Sequence, residues 1–231
     1  MSKMSSQIIQ QGAEAIILKE GNEIIKRRIK KAYRIKELDD KIRKQRTRSE
    51  SKLLEKASKI ILIPKIIKTD DKKMEISMEF IKGQKLSEEL DSFPLQKQKE
   101  ICLQIGKSIA NLHDKDIIHG DLTTSNIILK EKEDDFNRKQ LKKSSSASKG
   151  GVDKENLGSL YFIDFGLGYS SHRIEDKAVD LHLIKQALEA KHFQNWEALF
   201  FSIKKGYENS KDFKKVMEQL EKVEKRGRYK N

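Results

Sequence analysis

Three polar side chains that could do chemistry lie within the stretch IIHGDLTTSN, between two apolar runs: His119, Asp121 and Asn126. A further acid, Asp164, begins the sequence Asp-Phe-Gly directly after the apolar run LYFI. Magnesium prefers carboxylate and amide oxygens and keeps phosphate oxygens and water in its other positions. We expect Asn126 and Asp164 to lie at adjacent strand ends, where they can hold Mg²⁺ on the phosphates of ATP.

The two other polar residues of the stretch are predicted to have different tasks. Asp121 is not committed to the metal, so it can orient the attacking hydroxyl or accept its proton. The ring of His119 is predicted to brace the loop against Phe165. A metal-ligand role for His119 is disfavoured, since no second His or Cys lies at a useful spacing.

The motifs Asp-x4-Asn and Asp-Phe-Gly resemble those of the protein-kinase superfamily, and this resemblance implies two further charged residues earlier in the chain, a lysine on the third strand and an acid on the following helix. In EIIKRRI, a period of two places Lys26 on the same strand face as Ile24, from which Lys26 can reach the α- and β-phosphates. Glu50 precedes the two leucines of SKLLEKA by three and four residues, which places it on the apolar face of a predicted helix. Because burial of an unpaired carboxylate is costly, an ion pair between Glu50 and Lys26 is predicted. The alternative is a helix capping box formed by Glu50 and Thr47.

The same resemblance implies a turn that covers the phosphates between the first two strands, in QGAEA. It lacks the Gly-rich pattern GxGxxG, but Gly12 and Ala13 still let backbone N–H groups approach phosphate. Glu14 is an unusual neighbour for an anion. Downstream, MEFIKG resembles the hinge of protein kinases, and this resemblance implies that backbone groups of Glu79 and Ile81 meet the adenine edge.

The periodicity of apolar residues predicts an α+β fold, and the resemblance to protein kinases implies that this fold is divided into two lobes. The N-lobe, residues 1–83, is predicted to contain a small antiparallel β-sheet, one main helix and the hinge at 79–83. The C-lobe, residues 84–231, is predicted to be mostly helical. We also predict a disordered insert at 130–159, which is rich in Ser, Gly and Lys, and a basic tail at 225–231.

The elements behind this prediction are short and bounded by polar turns. Strands are predicted at 15–18, 23–29, 65–70 and 74–80, with three further strand-like pieces in DIIHGD, NIIL and LYFIDFG. Helices are predicted at 44–58, 95–113, 175–192, 195–208 and 211–227. Two adjacent strands need only a few residues to join them, so the insert is predicted to interrupt a hairpin.

Together, the two motifs resemble those of the protein-kinase superfamily, with HGDLTTSN in place of HRDLxxxxN. The sequence departs from that pattern at Gly120, where regulated kinases use Arg, and at Thr123, where Ser/Thr kinases place a Lys near the transferred phosphoryl group. Only sixteen residues lead from Asp164 to Asp180, and no Ala-Pro-Glu follows. At these positions the sequence lacks features that ordinary protein kinases use on peptide substrates. The site is therefore better suited to ATP hydrolysis, or to an activity required by an adjacent partner protein, than to phosphorylation of free peptides.

Several stretches narrow the resemblance: GAEA, HGDLTTSN, DFGLGYSS, EDKAVDLHLI and a tail ending RGRYKN. They resemble the small atypical kinase subunit of the KEOPS complex, over nearly the whole chain outside 130–159. The resemblance implies a minimal two-lobed kinase fold with ATP hydrolysis or Ser/Thr phosphorylation. This activity would support threonylcarbamoyladenosine formation at position 37 of tRNA. It also implies a threonylcarbamoyl transferase partner, a small regulator bound to the N-lobe, and Asp180 as a cap on the catalytic loop.

The charge balance of the 231 residues is strongly basic, with 49 Lys and Arg against 36 Asp and Glu, or +13. Residues 26–48 alone hold twelve Lys or Arg and three acids. Such an excess is typical of proteins with an anionic partner, and tRNA is expected here, although a solvated Lys-rich surface is the alternative. One cysteine, Cys102, permits no intramolecular disulfide, so a cytoplasmic or nuclear protein is expected. The longest apolar stretch, 60–67, is too short to span a membrane.

Two classes of rival function remain open from the sequence. Small-molecule kinases of the aminoglycoside-phosphotransferase kind also carry HGDxxxxN, and a RIO-type ATPase is similar in size. The other rival is a catalytically silent scaffold that binds tRNA or partner proteins. Comparison of ATP turnover in the wild type and an Asp164 variant separates the scaffold from the enzymes.

Overall fold

A five-stranded antiparallel sheet forms the first part of the molecule, in a computed structural model that describes residues 6–130 and 157–228. Its strands run in the order β1-β2-β3-β5-β4. Their bounds are β1 (Gln7–Gln11), β2 (Ala15–Glu20), β3 (Glu23–Arg28), β4 (Ile66–Asp70) and β5 (Glu75–Glu79). The four predicted strands are confirmed within two residues at each end, and β1 is an additional edge strand. Lys26 lies opposite Ile17 on one side and Ile76 on the other, at the centre of the sheet.

One long helix, α1 (Lys36–Ala57), accompanies this sheet. The predicted helix at 44–58 is wrong at its start, because the first turns carry few apolar residues and show no periodic signal. Hydrogen bonds and ion pairs to Asp39 stabilise these turns instead. Asp39 is fully buried and accepts bonds from the Lys31 N–H and from Arg43. Thr47 lies in the middle of α1 and donates to the Arg43 carbonyl, so the alternative of a capping box at Thr47 is excluded.

The second part of the molecule is mostly helical, as predicted. Its strands are β6 (Gln84–Lys85), β7 (Ile117–Ile118), β8 (Ile127–Lys130), β9 (Ser159–Phe162) and β10 (Tyr169–Ser170). Its helices are α2 (Leu86–Glu89), α3 (Leu95–His113), α4 (Ile174–Lys191), α5 (Trp196–Tyr207) and α6 (Phe213–Arg228). Short 3₁₀ turns span Leu90–Ser92 and Thr124–Asn126.

The predicted hairpin around the insert is present, since β8 pairs antiparallel with β9. Lys130 and Ser159 lie within these strands, so the predicted insert is too wide at both ends. Its remaining residues, 131–156, lie outside the described part of the chain. The predicted basic tail continues α6 through Arg228, and residues 229–231 are likewise outside the description.

A close contact between two helices supports the loops that follow α3. A Cβ atom on Gly106 would lie 2.0 Å from the Ile203 carbonyl oxygen, and one on Gly206 would lie 2.1 Å from the Leu103 oxygen. Only glycine allows α3 and α5 to approach this closely. The apolar face predicted for α3 is buried against this core: Ile101, Ile105, Ile109 and Leu112. The C-terminal end of α3 is therefore packed firmly against the core, just before the polar segment that contains His119, Asp121 and Asn126.

None of the helices in the described ranges is long and apolar enough to cross a membrane.

Candidate active site

The centre of the site is Lys26, which joins two carboxylates from distant parts of the chain. Its Nζ atom lies 2.6 Å from Glu50 Oε1 on α1 and 2.6 Å from Asp164 Oδ1 after β9. Lys26 and Glu50 are buried, whereas 45% of the Asp164 side chain is exposed. The predicted ion pair between Lys26 and Glu50 is confirmed, and Asp164 keeps part of its carboxylate open to solvent beside them.

Interactions with neighbouring charged groups determine the ionisation states of Lys26 and Asp164. Burial disfavours the ammonium form of Lys26, but Glu50 and Asp164 outweigh that penalty and raise its pKa. Burial alone would raise the pKa of Asp164, but the charge of Lys26 and the N–H of Gly166 lower it. Lys26 and Asp164 are therefore both charged at neutral pH.

A second cation, Arg28, also binds Glu50, and this residue was not among those predicted for the site. Its Nη2 atom lies 2.6 Å from Glu50 Oε2, and both side chains are buried. The alternation of side chains along β3 could have predicted this position, because the period of two that places Lys26 on the inner face places Arg28 there as well.

Asp121 and Asn126 form the second half of the site. The Asn126 Nδ2 atom donates to the Asp121 carbonyl at 2.8 Å and to its Oδ2 atom at 3.0 Å. These bonds fix the amide of Asn126 and leave its Oδ1 atom, the one suited to a metal ion, outside the pair. Asp121 is half-buried at the start of the same loop.

Backbone bonds join the two halves. The Ile163 N–H donates to the Asn126 carbonyl at 2.9 Å, and His119 Nε2 lies 3.1 Å from the Ile163 carbonyl oxygen. The His119 ring packs on Phe165, with 4.4 Å between ring centroids, as predicted. Burial lowers the pKa of His119, so the neutral ring acts as a brace. The loop that carries Asn126 is thereby held beside the residue that precedes Asp164.

Asp180 on α4 supports the loop from below, as the resemblance implied. Its Oδ2 atom accepts the His119 N–H at 2.7 Å, and its Oδ1 atom accepts the Gly120 N–H at 2.9 Å. His113 adds a contact to Oδ2 at 3.3 Å and bonds the Tyr207 hydroxyl. The fully buried carboxylate therefore sets the backbone just before Asp121.

The backbone at two positions explains residue choices that the sequence left open. Gly120 has φ +79°, and a Cβ atom there would lie 2.3 Å from the Leu167 carbonyl oxygen. An arginine at this position is therefore excluded by space as well as by conformation. Asp164 adopts φ +61°, which is uncommon for a residue other than glycine and is typical of functional sites.

The predicted phosphate-covering turn lies between β1 and β2 and is exposed. The Gly12 N–H donates to the Ala15 carbonyl, and Lys31 donates to the Ala13 carbonyl. Glu14, the unusual neighbour for an anion, is paired with Arg46 at 2.7 Å. The turn is thus tied to α1, and in the described part of the chain none of the hydrogen bonds or ion pairs of Lys26 is made to Gly12 or Ala13.

The predicted hinge follows β5. Glu79 is half-buried, and its N–H donates to the Lys65 carbonyl at 2.9 Å. Ile81 is buried. Because β5 pairs with β3, the strand that leads into the hinge runs directly beside Lys26. Contact of Glu79 and Ile81 with adenine stays a prediction.

Two further histidines, His113 and His192, have defined polar partners that were not predicted from the sequence. His113 contacts Asp180, as described above. His192 lies 2.9 Å from Asp91 through Nδ1 and 3.2 Å from Thr124 Oγ1 through Nε2. Their partners are 67 or more residues away along the chain, so no local spacing could have revealed these networks.

Comparison with known proteins agrees with this geometry. A family model for the protein kinase domain matches residues 13–175. The KEOPS complex subunit Bud32 of Pyrococcus abyssi is 38% identical over 236 residues, which covers 96% of each chain. A probable bifunctional tRNA threonylcarbamoyladenosine biosynthesis protein of Methanobrevibacter smithii is 36% identical over 98% of this chain, which spans 37% of that relative's length.

Solved structures with similar folds include an atypical kinase. The Rio2 kinase–ADP/Mg²⁺–phosphoaspartate complex from Chaetomium thermophilum has a TM-score of 0.53 at 15% identity, over 98% of this chain and 71% of that one. WaaP in complex with acyl carrier protein has a TM-score of 0.55 at 12% identity, over 96% and 89%. At such identities the likeness shows the fold alone. With the kinase-domain match and the relative aligned along nearly its whole length, the chain belongs to the protein kinase family and, within it, to the Bud32 proteins.

Proposed function

We propose that this chain is an ATP-dependent phosphotransferase or ATPase that passes the terminal phosphoryl group of ATP to water or to a Ser/Thr hydroxyl. The observation that carries the proposal is the meeting of Lys26, Glu50 and Asp164 within 2.6 Å contacts, beside the Asp121 and Asn126 pair. Glu50 orients Lys26, and Lys26 holds the α- and β-phosphates. Gly12 and Ala13 cover the phosphates, while Glu79 and Ile81 hold the adenine edge.

The donor set around Asp164 fits a magnesium ion bound together with a nucleotide. No cluster of three His, Cys, Asp or Glu side chains that could hold a metal occurs among residues 6–130 and 157–228. Magnesium commonly takes one or two protein oxygens and completes its coordination with phosphates and water. Asp164 and Asn126 Oδ1 would hold it. When bound, it would neutralise the negative charge that develops on the phosphates.

Asp121 has the position and freedom for the acceptor side of the reaction. One of its carboxylate oxygens is fixed by Asn126, so the side chain keeps a defined orientation. The other oxygen can accept a hydrogen bond from water or a hydroxyl group and take its proton during transfer. Thr123 stands where Ser/Thr kinases place a lysine, so position 123 offers no cation to the transferred group, which favours small acceptors such as water.

ATP turnover in matched variants tests the enzymatic proposal. Asp164→Ala is expected to lower turnover about 100-fold or more, because it removes both a metal ligand and the carboxylate next to Lys26. Asp40→Ala, which removes a surface acid of α1, is the control and should leave turnover within about twofold. Equal turnover by the wild type and Asp164→Ala would identify the chain as a silent scaffold.

We further propose that the enzyme works within a KEOPS-type complex that makes threonylcarbamoyladenosine in tRNA. The names of its relatives from P. abyssi and M. smithii support this proposal. The expected partners are a threonylcarbamoyl transferase and a small regulator on the N-lobe, in the cytoplasm or nucleus. Reconstitution of tRNA modification with and without this chain tests it, and unchanged modification without the chain would contradict it.

The charge distribution supports direct contact with tRNA through a smaller basic surface than the sequence suggested. Seven of the twelve Lys and Arg in 26–48 have carboxylate partners: Lys26, Arg27, Arg28, Arg34, Arg43, Arg46 and Arg48. Five lysines have none within 4.0 Å in the described part of the chain: Lys30, Lys31, Lys36, Lys41 and Lys44. If about four of them meet phosphates, a fourfold rise in salt weakens binding roughly 50-fold. A salt titration with little change would contradict this contact.

A further inference from the structure

Glu50 is unusual among the buried acids of the molecule because two cations of one strand share its carboxylate. Lys26 takes Oε1 and Arg28 takes Oε2, each at 2.6 Å. Lys26 and Arg28 are two residues apart on β3, so both side chains leave the strand on the same face. The two bonds tie the middle of α1 to the centre of the sheet.

These two cations face different demands when a nucleotide binds. Lys26 already divides its Nζ donors between Glu50 and Asp164, and in the proposed function it also contacts phosphates. Anionic phosphates compete with Glu50 for that single ammonium group. Arg28 faces no such competition, because its side chain is 5% exposed and its Nη2 atom is already committed to Glu50.

We propose that Arg28 is a positioning residue that keeps Glu50 paired, and α1 in place, while Lys26 engages the phosphates of the nucleotide. The inference rests on the proposed function, because it requires phosphate binding by Lys26. In the nucleotide-free protein, Lys26 and Arg28 both hold Glu50. In the complex, Arg28 carries more of that task, and α1 does not have to move when Lys26 turns toward its ligand.

Stability alone is a poor explanation for Arg28. Its Nε atom is buried and has no hydrogen-bond partner in the described ranges, which is a cost to the folded state. Buried ion pairs can often be replaced by apolar residues of similar volume without loss of stability. A guanidinium in this place is therefore better explained by what it does for Glu50 than by what it adds to the core.

The experiment compares Arg28→Met and Arg28→Lys with the control Arg27→Met, which removes an exposed arginine from the opposite face of the same strand. Binding of ADP with Mg²⁺ is measured by titration calorimetry. Hydrogen exchange of the α1 amides of residues 47–57 is measured with and without the nucleotide. Neither measurement depends on turnover.

For Arg28→Met we expect about tenfold weaker binding of ADP and faster exchange in α1 after ADP is added, because Lys26 is drawn away from Glu50. Arg28→Lys retains a cation and should fall between Arg28→Met and the wild type. In the wild type and in Arg27→Met, ADP should leave α1 exchange unchanged or slower.

Two results separate failure of the inference from failure of the proposed function. If the wild type binds ADP and both Arg28 variants match Arg27→Met in affinity and exchange, the inference is wrong. If the wild type does not bind ADP with Mg²⁺ at all, the proposed function is wrong. Should Arg28→Met fail to fold, the polar but uncharged variant Arg28→Gln decides, since wild-type affinity and exchange in that variant would also overturn the inference.

Discussion

Two buried carboxylates, Glu50 in the first lobe and Asp180 in the second, are held in different ways. Glu50 is bound by the long side chains of Lys26 and Arg28. Asp180 is bound chiefly by backbone N–H groups of His119 and Gly120. Side-chain cations can change partners, whereas backbone donors are fixed by the loop itself. The contrast indicates that the loop carrying Asp121 and Asn126 has a fixed support and that, in the proposed function, the Lys26 side of the site responds to the nucleotide.

The largest expected effect is the loss of stability when Glu50, the carboxylate bound by Lys26 and Arg28, is removed. Glu50→Ala leaves Arg28 buried without its carboxylate, so the free energy of unfolding should fall by about 3–5 kcal/mol. Urea unfolding measures the change. Glu55→Ala, an exposed acid on the same helix, is the control and should change the value by less than about 0.5 kcal/mol. Similar small losses in both variants would mean that Glu50 is not a structural centre of the first lobe.

A smaller loss is expected at the backbone-bound acid. Asp180→Asn retains one acceptor but removes the charge from the bonds to His119 and Gly120, which should cost about 2–3 kcal/mol. Glu189→Gln, on the exposed side of the same helix, serves as the control. An unfolding free energy equal to that of the control would contradict the role of Asp180 as a support.

The effect of Asp180→Asn should also depend on pH. Burial opposes ionisation of Asp180, but His113 and the backbone N–H of His119 outweigh it and lower the pKa. A lowered pKa in the folded state gives stability that is present above the ordinary value of about 3.9 and is lost as the pH falls through the folded value. The difference between the wild type and Asp180→Asn should therefore be constant above about pH 5 and shrink below it. A constant difference down to the acid transition would contradict this assignment.

Substitutions at two glycines test the same comparison. Gly120 lies in the loop held by Asp180, and Gly12 lies in the exposed turn between β1 and β2. Gly120→Ala introduces a Cβ atom at an unfavourable φ and 2.3 Å from a carbonyl oxygen, so a loss of about 2 kcal/mol or more is expected. Gly12→Ala meets no atom closer than 3.7 Å, and a change within about 0.5 kcal/mol is expected. Thermal unfolding of both variants measures the difference, and equal effects would remove the distinction.

The sequence was sufficient for the parts of the site that follow a motif or a regular period. A loop with Asp121 and Asn126, close to Asp164, could be predicted because these residues follow apolar runs at a recognisable spacing. The ion pair between Glu50 and Lys26 could be predicted because Glu50 lies on the apolar face of its helix. The fold class followed from strands and helices whose apolar faces are regular. In these cases the physical signal is local, so a single sequence contains it.

The parts that were missed depend on contacts between distant residues. The start of α1 is fixed by Asp39 and its cations, which leave no apolar period to detect. The partners of His192 come from the turn after α2 and from the catalytic loop, and only the folded chain brings them together. Arg28 was an exception, since the period that identified Lys26 applies equally to it.

The most direct test of the account is a crystal structure of the protein with a non-hydrolysable ATP analogue and Mn²⁺ in place of Mg²⁺. The anomalous signal is predicted to show the metal within bonding distance of the Asp164 carboxylate and Asn126 Oδ1, with Lys26 on the phosphates and Glu50 still bound to Arg28. A metal at other acids, or a nucleotide bound away from Lys26, Asp121 and Asp164, would contradict the central claim that these side chains serve one nucleotide.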